Sequence, residues 1–293
     1  MATTPAAPAL PFAERFASAR SAHGPLVFGL DPSGALLDEW GLGDTPDGLE
    51  RFVDVVVQAA TGAVGVVKPQ SAFYERHGWQ GVRALSRLVS ECRDSGVLVL
   101  LDVKRGDVGS TNQAYAEAYL GKDAGLPVDA LTITPYLGLG ALRGLLDRAA
   151  ASGAGVFVVT RSSNPEGRAV QAARHADGST VEQRLIEDLA AENRRVMGPD
   201  GADGGVGPFG AVFAPTHEPP EGFDLAAMGG LFLAPGLGAQ GATPADVAAC
   251  FAACPDRVLP AASRSLLAAG PDVSAVRDAL ASLGAELRDA LGA

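Results

Sequence analysis

Asp102, Lys104 and Asp107 occur in the stretch Leu100-Leu101-Asp102-Val103-Lys104-Arg105-Gly106-Asp107, where an apolar run beginning at Val97 passes directly into ionisable side chains spaced D-x-K-x-x-D. Residues two apart on a strand project to the same side, so Asp102 and Lys104 are expected to point together. Charges at the end of a buried strand are costly unless paired, and this spacing supplies the partner. Of the 23 basic residues, only Lys68, Lys104 and Lys122 are lysines. Two of them, Lys68 and Lys104, fall at apparent strand ends. Lysine can give up its proton where its surroundings lower its pKa, whereas arginine in practice cannot, so the residue choice points to proton transfer. The plain alternative is a structural ion-pair ladder at a strand end. Lys68 on a neighbouring strand weighs against it, because alternating Lys68, Asp102, Lys104 and Asp107 form a charge-balanced network. Lys122, just after a helix, reads as a solvated surface residue.

These side chains need a frame. Short apolar, often β-branched runs recur at 26–30, 65–68, 97–103, 130–134, 155–160, 210–214, 230–234 and 258–262. Helix-like stretches alternate with them at 48–61, 79–95, 110–120, 138–151, 182–196 and 244–253, and 272–291 closes the chain. Strand–helix alternation implies parallel pairing, and eight repeats in 293 residues predict a (β/α)8 TIM barrel, α/β in class. No linker or shift in composition divides the chain, so residues 1–293 read as a single domain. The Gly/Asp-rich stretch 198–207 reads as a mobile surface loop.

In such a barrel the C-terminal strand ends form the active face. Read in order, they deliver Asp31 from Gly-Leu-Asp-Pro-Ser, Lys68 from Val-Val-Lys-Pro, then Asp102 and Lys104. The fifth strand leads to Ser162, Ser163 and Asn164, and the eighth ends at Arg264. The seventh runs into Gly236-Leu-Gly238-Ala-Gln240-Gly241, a literal GxGxxG. A dinucleotide site needs that pattern after the first strand of a βαβ unit, with an acid ending the next strand. Here it follows the penultimate strand, and Asp256 precedes the next one. Glycines after strand seven and an arginine after strand eight instead match the usual phosphate position of barrels, where close-approaching N–H groups and a bidentate guanidinium hold the anion. A plain turn with a surface arginine is the alternative.

Composition narrows the class. The formal charge of −11 argues against a general nucleic-acid surface, although a small anion needs only a few local cations. No apolar run approaches the roughly 18 residues of a membrane span, and the first ten residues lack the basic region of a signal peptide. Three cysteines do not make a disulfide framework; Cys250 and Cys254 read as packing near a helix end. The four histidines form no metal-ligand spacing. A cytoplasmic protein without a structural metal is the expectation.

Together these residues resemble the orotidine 5′-phosphate decarboxylase family, in its longer bacterial branch. The likeness spans most of the chain and is strongest in Asp-Val-Lys-Arg-Gly-Asp-Val-Gly-Ser-Thr at 102–111, with Val-Lys-Pro-Gln-Ser-Ala-Phe-Tyr-Glu at 67–75 and Ser-Asn-Pro-Glu-Gly at 163–167 beside it. The resemblance implies cofactor-independent conversion of orotidine 5′-phosphate (OMP) to UMP. Lys104 would protonate C6 of the pyrimidine, and Asp102 would stand beside the substrate carboxylate. Asp107 would hold Lys104 from the second subunit of a homodimer with shared active sites, with Thr111 beside it. Lys68 and Asp31 would bind ribose hydroxyls, and Ser163 would face the pyrimidine edge. Gln240, the backbone of Gly238 and Arg264 would take the phosphate, with 236–241 as the closing loop. The segment 168–207 is less familiar and carries no implied role. The D-x-K-x-x-D pattern also resembles hexulose-phosphate synthases, which use Mg²⁺ and a sugar phosphate; Lys68 and the motifs at 69–73 and 163–165 favour the nucleotide. A non-catalytic phosphate-binding scaffold is the reading from another class.

Overall fold

The computed structural model describes residues 10–198, 205–217 and 222–292. Eight parallel strands close into a barrel in sequence order: β1 (Val27–Leu30), β2 (Val66–Pro69), β3 (Leu98–Arg105), β4 (Ala130–Ile133), β5 (Gly155–Arg161), β6 (Phe209–Phe213), β7 (Phe232–Ala234) and β8 (Val258–Ala262). Each of the eight apolar runs in the sequence supplies one strand. The helices between them cover the outer face, and several begin with a cap legible in the sequence. Thr45 caps Pro46–Ala60 through the Gly48 N–H, and Thr180 and Thr243 open Val181–Met197 and Pro244–Cys250 with reciprocal capping boxes. Crossover six departs from the pattern: among the described residues, β6 is followed only by the 3₁₀ turn Ala226–Met228 before β7 begins.

Strand periodicity separates two cores. Inward-facing Val27, Val66, Leu100, Ala130, Phe157, Val212, Leu233 and Leu259 fill the lower barrel. The helix Phe12–His23, which the sequence pattern does not pick out, closes that end, with Phe12 stacked on Phe16 and meeting Phe157 edge-on. Outward-facing Phe28, Val67, Val99, Leu101, Leu131 and Val156 pack against the helices. Two residues on from the lower layer, the same inward parity yields Lys68, Asp102 and Thr132, so the barrel interior changes from apolar to ionic within one step of the pleat.

Most of the stretch 198–207, expected to be a loop, falls on residues 199–204, outside the described residues. Cys254 is buried and Cys250 ends its helix, with burial pushing both thiols up, to about 12 for Cys250 and about 11 for Cys254.

Candidate active site

At the C-terminal mouth of the barrel lies a cleft of about 220 Å³. Asp31, Lys68, Asp102, Lys104, Ser163, Gln240 and Arg264 line it, so seven of the ten site residues expected from sequence converge on one cavity. Close backbone approach narrows its floor. A Cβ on Gly29 would lie 2.6 Å from Cβ of Ser263, so the β1–β8 seam at this height requires glycine.

Asp102 is the centre of the charge network. Its Oδ2 accepts from Lys68 Nζ at 3.2 Å and its Oδ1 from Lys104 Nζ at 2.6 Å. Lys68 and Asp102 are buried, whereas Lys104 reaches into the open cleft. Burial alone would lower the Lys68 pKa, but the Asp102 and Asp31 carboxylates outweigh it and hold the ammonium above its ordinary value. Burial alone would raise Asp102; Lys68 first, then Lys104 and the hydrogen bonds from Lys104 and Thr132, bring it down to about 2. The pair is therefore ionised at neutral pH, and both partners move in the direction a real ion pair requires. Asp31 Oδ1 and Ser263 Oγ are buried beside the cleft without a hydrogen-bond partner in the protein, as groups awaiting a ligand would be.

Lys104 and Asp102 meet, but not along a regular strand. Lys104 has φ of 45°, the one non-glycine residue with positive φ among the described residues. The β3–β4 register shifts between Leu101 and Arg105, so 102–104 oppose the single residue Thr132. This bulge re-aims the lysine, and a left-handed conformation there costs about 1–2 kcal/mol for a residue carrying a Cβ.

Asp107 and Thr111 do not line the cleft. Thr111 is exposed, and the Asp107 carboxylate accepts from the Val108 N–H at 2.8 Å. Asn112 is buried and grips the turn by accepting from the Asp107 N–H and donating to the Ala141 carbonyl. Lys104 and Asp107 form no ion pair with each other within this chain.

The seventh-strand loop is closed on itself. Leu237 and Ala242 form an isolated bridge, and the Gly238 N–H donates to the Ala242 carbonyl at 2.9 Å. Gly238 lies outside the cleft lining, where its neighbours Ala239 and Gln240 face the cavity. Gly236 has φ of 99°, and a Cβ there would stand 2.6 Å from Thr216 Cγ2. Arg264 opens the turn Arg264–Leu267 with its side chain exposed at the rim.

Three contributions escaped the sequence. Gln70 lines the cleft and pairs by backbone bridge with Asp102; it lies two residues beyond Lys68, and the same parity could have flagged it. Ser263 precedes Arg264 at the same strand end. Arg168, Gln171 and Glu182, from a stretch given no role by the sequence, brace the loop that carries Ser163. Glu182, in the first turn of Val181–Met197, takes two bonds from buried Arg161 at 2.9 and 3.0 Å and one from Arg168 at 2.7 Å. The Arg161 guanidinium lies 4.4 Å from the ring centre of Phe213, and the Gln171 amide binds both the N–H and the hydroxyl of Ser162.

Comparison with known proteins agrees with this geometry. Residues 24–279 match the model of the orotidine 5′-phosphate decarboxylase / HUMPS family. This chain belongs to that family. Among its relatives, orotidine 5′-phosphate decarboxylase of Salinispora arenicola is 51% identical over 280 residues, covering 96% of this chain and 98% of the relative. The protein of the same name from Streptomyces coelicolor is 48% identical over 283 residues, covering 97% and 99%. A crystal structure from Streptomyces avermitilis, described as a candidate orotidine 5′-phosphate decarboxylase, superposes with a TM-score of 0.92 at 46% identity and covers all of both chains. The OMP decarboxylase of Leishmania donovani gives 0.71 at 25% identity, covering 97% of this chain and 100% of that one. The family resemblance read from the motifs is thus shown, and the decarboxylase barrel extends over nearly the whole chain. Among the described residues, no helix is long and apolar enough to cross a membrane, and no group of three or more His, Cys, Asp or Glu is placed to hold a metal ion.

Proposed function

We propose that this protein decarboxylates OMP to UMP in pyrimidine biosynthesis, acting on free nucleotide in the cytoplasm without a cofactor, within the single unit 1–293. The observation that carries the reading is the Asp102 carboxylate held between two ammonium groups at the cleft, with Lys104 Nζ 2.6 Å from Oδ1. Substrate would enter with its phosphate toward Gln240 and Arg264 and its C6 carboxylate toward Asp102 and Lys104. The C6–carboxylate bond breaks, carbon dioxide leaves, and the bonding electron pair stays on C6. The Lys104 ammonium then transfers a proton to C6, and the neutral amine regains one from solvent.

The physics matches the residues. The developing carbanion has no electron sink in the pyrimidine, so the barrier must fall through charge placed where charge appears. A fixed ammonium does this, and enzymes as a class supply about 8–23 kcal/mol by such means. Asp102 holds the ammonium in place and stands near the departing carboxylate; repulsion there adds to the effect where the carboxylate is desolvated. Lys68 and Asp31 would hold ribose hydroxyls, and Ser163 the pyrimidine edge. Binding energy at the remote phosphate would support closure of the 236–241 loop and exclusion of water.

Asp107 and Thr111 are assigned to the partner's site in a homodimer. Their position outside their own cleft supports this, as does the exposed apolar rim around them. Val108, Tyr136 and Leu137 are 53%, 82% and 55% exposed, which suits a surface covered by a second copy.

The test is a spectrophotometric OMP assay in EDTA. Conversion to UMP at an undiminished rate supports the reading. Turnover lost on chelation and restored by Mg²⁺ would favour a sugar-phosphate synthase, and binding of UMP without turnover of OMP would favour a phosphate-binding scaffold.

A further inference from the structure

We infer that Thr132 is a positioning residue for proton delivery, its hydroxyl fixing the Lys104 backbone and the Asp102 carboxylate through a single oxygen. The role rests on the decarboxylase reading above. Thr132 is fully buried on β4 and does not line the cleft, so it acts on substrate only through its neighbours.

Its Oγ1 accepts from the N–H of Val103 and the N–H of Lys104, both at 3.0 Å. It stands 2.7 Å from Asp102 Oδ1. A hydroxyl has one hydrogen and two acceptor sites. Both backbone amides are obligatory donors, so the hydroxyl hydrogen has one remaining destination, Asp102 Oδ1. The oxygen is then fully used, and every bond has a defined direction without the hydrogens being seen.

The register shift explains why a hydroxyl is needed. On the β4 side three residues of β3, 102 to 104, oppose the single residue Thr132, so the Val103 and Lys104 amides are met there by its hydroxyl and not by successive ladder carbonyls. Thr132 accepts two of them. It thereby holds the left-handed turn at Lys104 and, through Asp102 Oδ1, the ammonium at the far end of the same side chain. Lys104 is gripped at both ends by one ring of contacts: its own N–H, Thr132 Oγ1, Asp102 Oδ1 and its own Nζ. Of the residues in that ring, Thr132 alone carries no charge and faces no ligand.

The decisive comparison is Thr132→Val, which keeps the branched shape and removes the hydroxyl, against Thr132→Ser, which keeps the hydroxyl. OMP turnover and UMP binding by calorimetry are measured on parent and variants. Thr132→Val should lower kcat by about 100-fold, the scale of a reacting group displaced by about 1 Å, while the UMP dissociation constant moves little. Thr132→Ser should regain most of kcat. A valine variant that turns over like the parent overturns the proposal, as does a serine variant as impaired as the valine one. Equal loss of turnover and UMP binding would make Thr132 a general structural residue and also overturns it. If the valine variant does not fold, Thr132→Ala removes the same hydroxyl; failure of both to fold beside a folded serine variant would assign the hydroxyl to folding and overturn the positioning role. A parent chain inactive on OMP would overturn the functional reading, and this role with it.

Discussion

Replacing Asp102 by Asn tests the electrostatic account of the site through stability alone, without recourse to catalysis. The substitution keeps the shape of the side chain and removes the charge between Lys68 and Lys104. Holding the Asp102 carboxyl at about 2 against an ordinary 3.8 corresponds to about 2 kcal/mol of folding stability at neutral pH. Because the folded value lies below the unfolded one, this stability is present above about pH 4 and is lost as pH falls toward 2. About half of it should be gone by pH 3. A second loss adds to the first, since Lys68 is buried and would keep its charge with Asp31 as its remaining counter-ion. Breaking one side of a buried pair costs about 3–5 kcal/mol, and the surviving Asp31 places the expected loss near the lower figure. For a chain of this size, about 3 kcal/mol lowers the melting temperature by roughly 5 °C. The assay is thermal unfolding followed by circular dichroism at one scan rate, on parent and variant, at pH 7 and pH 3. The gap between them should narrow on acidification, because the parent's own Asp102 begins to carry a proton. An equal gap at both pH values would show that the loss comes from packing, and no gap at pH 7 would refute the buried-pair argument outright.

Three further outcomes are expected. Lys104→Ala should reduce turnover by at least about 10²–10⁴-fold, the range for a positioned proton donor, while leaving UMP affinity in calorimetry much less affected; near-normal turnover would remove Lys104 as the acid. Mixing Lys104→Ala with Asp107→Ala chains should restore part of the activity of either alone, because one hybrid site regains both residues; no recovery after confirmed subunit exchange would count against a shared site. Gly236→Ala forces a Cβ against Thr216 at φ of 99°, strain of about 1–3 kcal/mol, so UMP should bind roughly tenfold or more weakly in calorimetry. Unchanged affinity there would detach the 236–241 loop from phosphate binding.

The sequence carried the barrel because its strands are buried on both faces and read as apolar runs separated by longer helical stretches. Seven of the residues expected at the site line the cleft; most could be located because they lie in or just beyond a strand whose end could be placed, whereas Gln240, six residues past β7, came from the family resemblance. The helix Phe12–His23 was not legible, as its apolar face amounts to Phe12, Ala13 and Phe16 in an otherwise polar stretch. Its place becomes evident only when the lower barrel is seen to need a plug. Thr132 was hidden for a related reason: threonine in an apolar run is ordinary strand composition, and its three bonds exist only because β3 bulges opposite it. Glu182 read as a first-turn helix residue, while its partner Arg161 lies 21 positions earlier. Asp107 was visible as a charge, yet its own cleft does not contain it, which no spacing within one chain reveals.

The left-handed backbone at Lys104 has a consequence for anyone evolving this protein toward heat resistance. Glycine adopts that conformation freely, and any smaller uncharged side chain there would also leave Asp102 to pair with Lys68 alone. A screen that rewards folding yield recovers about 1–2 kcal/mol of backbone strain by replacing this lysine with glycine, set against the lost Lys104–Asp102 bond, at the position the proposed mechanism uses as its acid. Robustness and turnover would then pull in opposite directions at one codon. Libraries built for thermal tolerance should hold position 104 constant, and a stabilised clone that carries glycine there should be inactive.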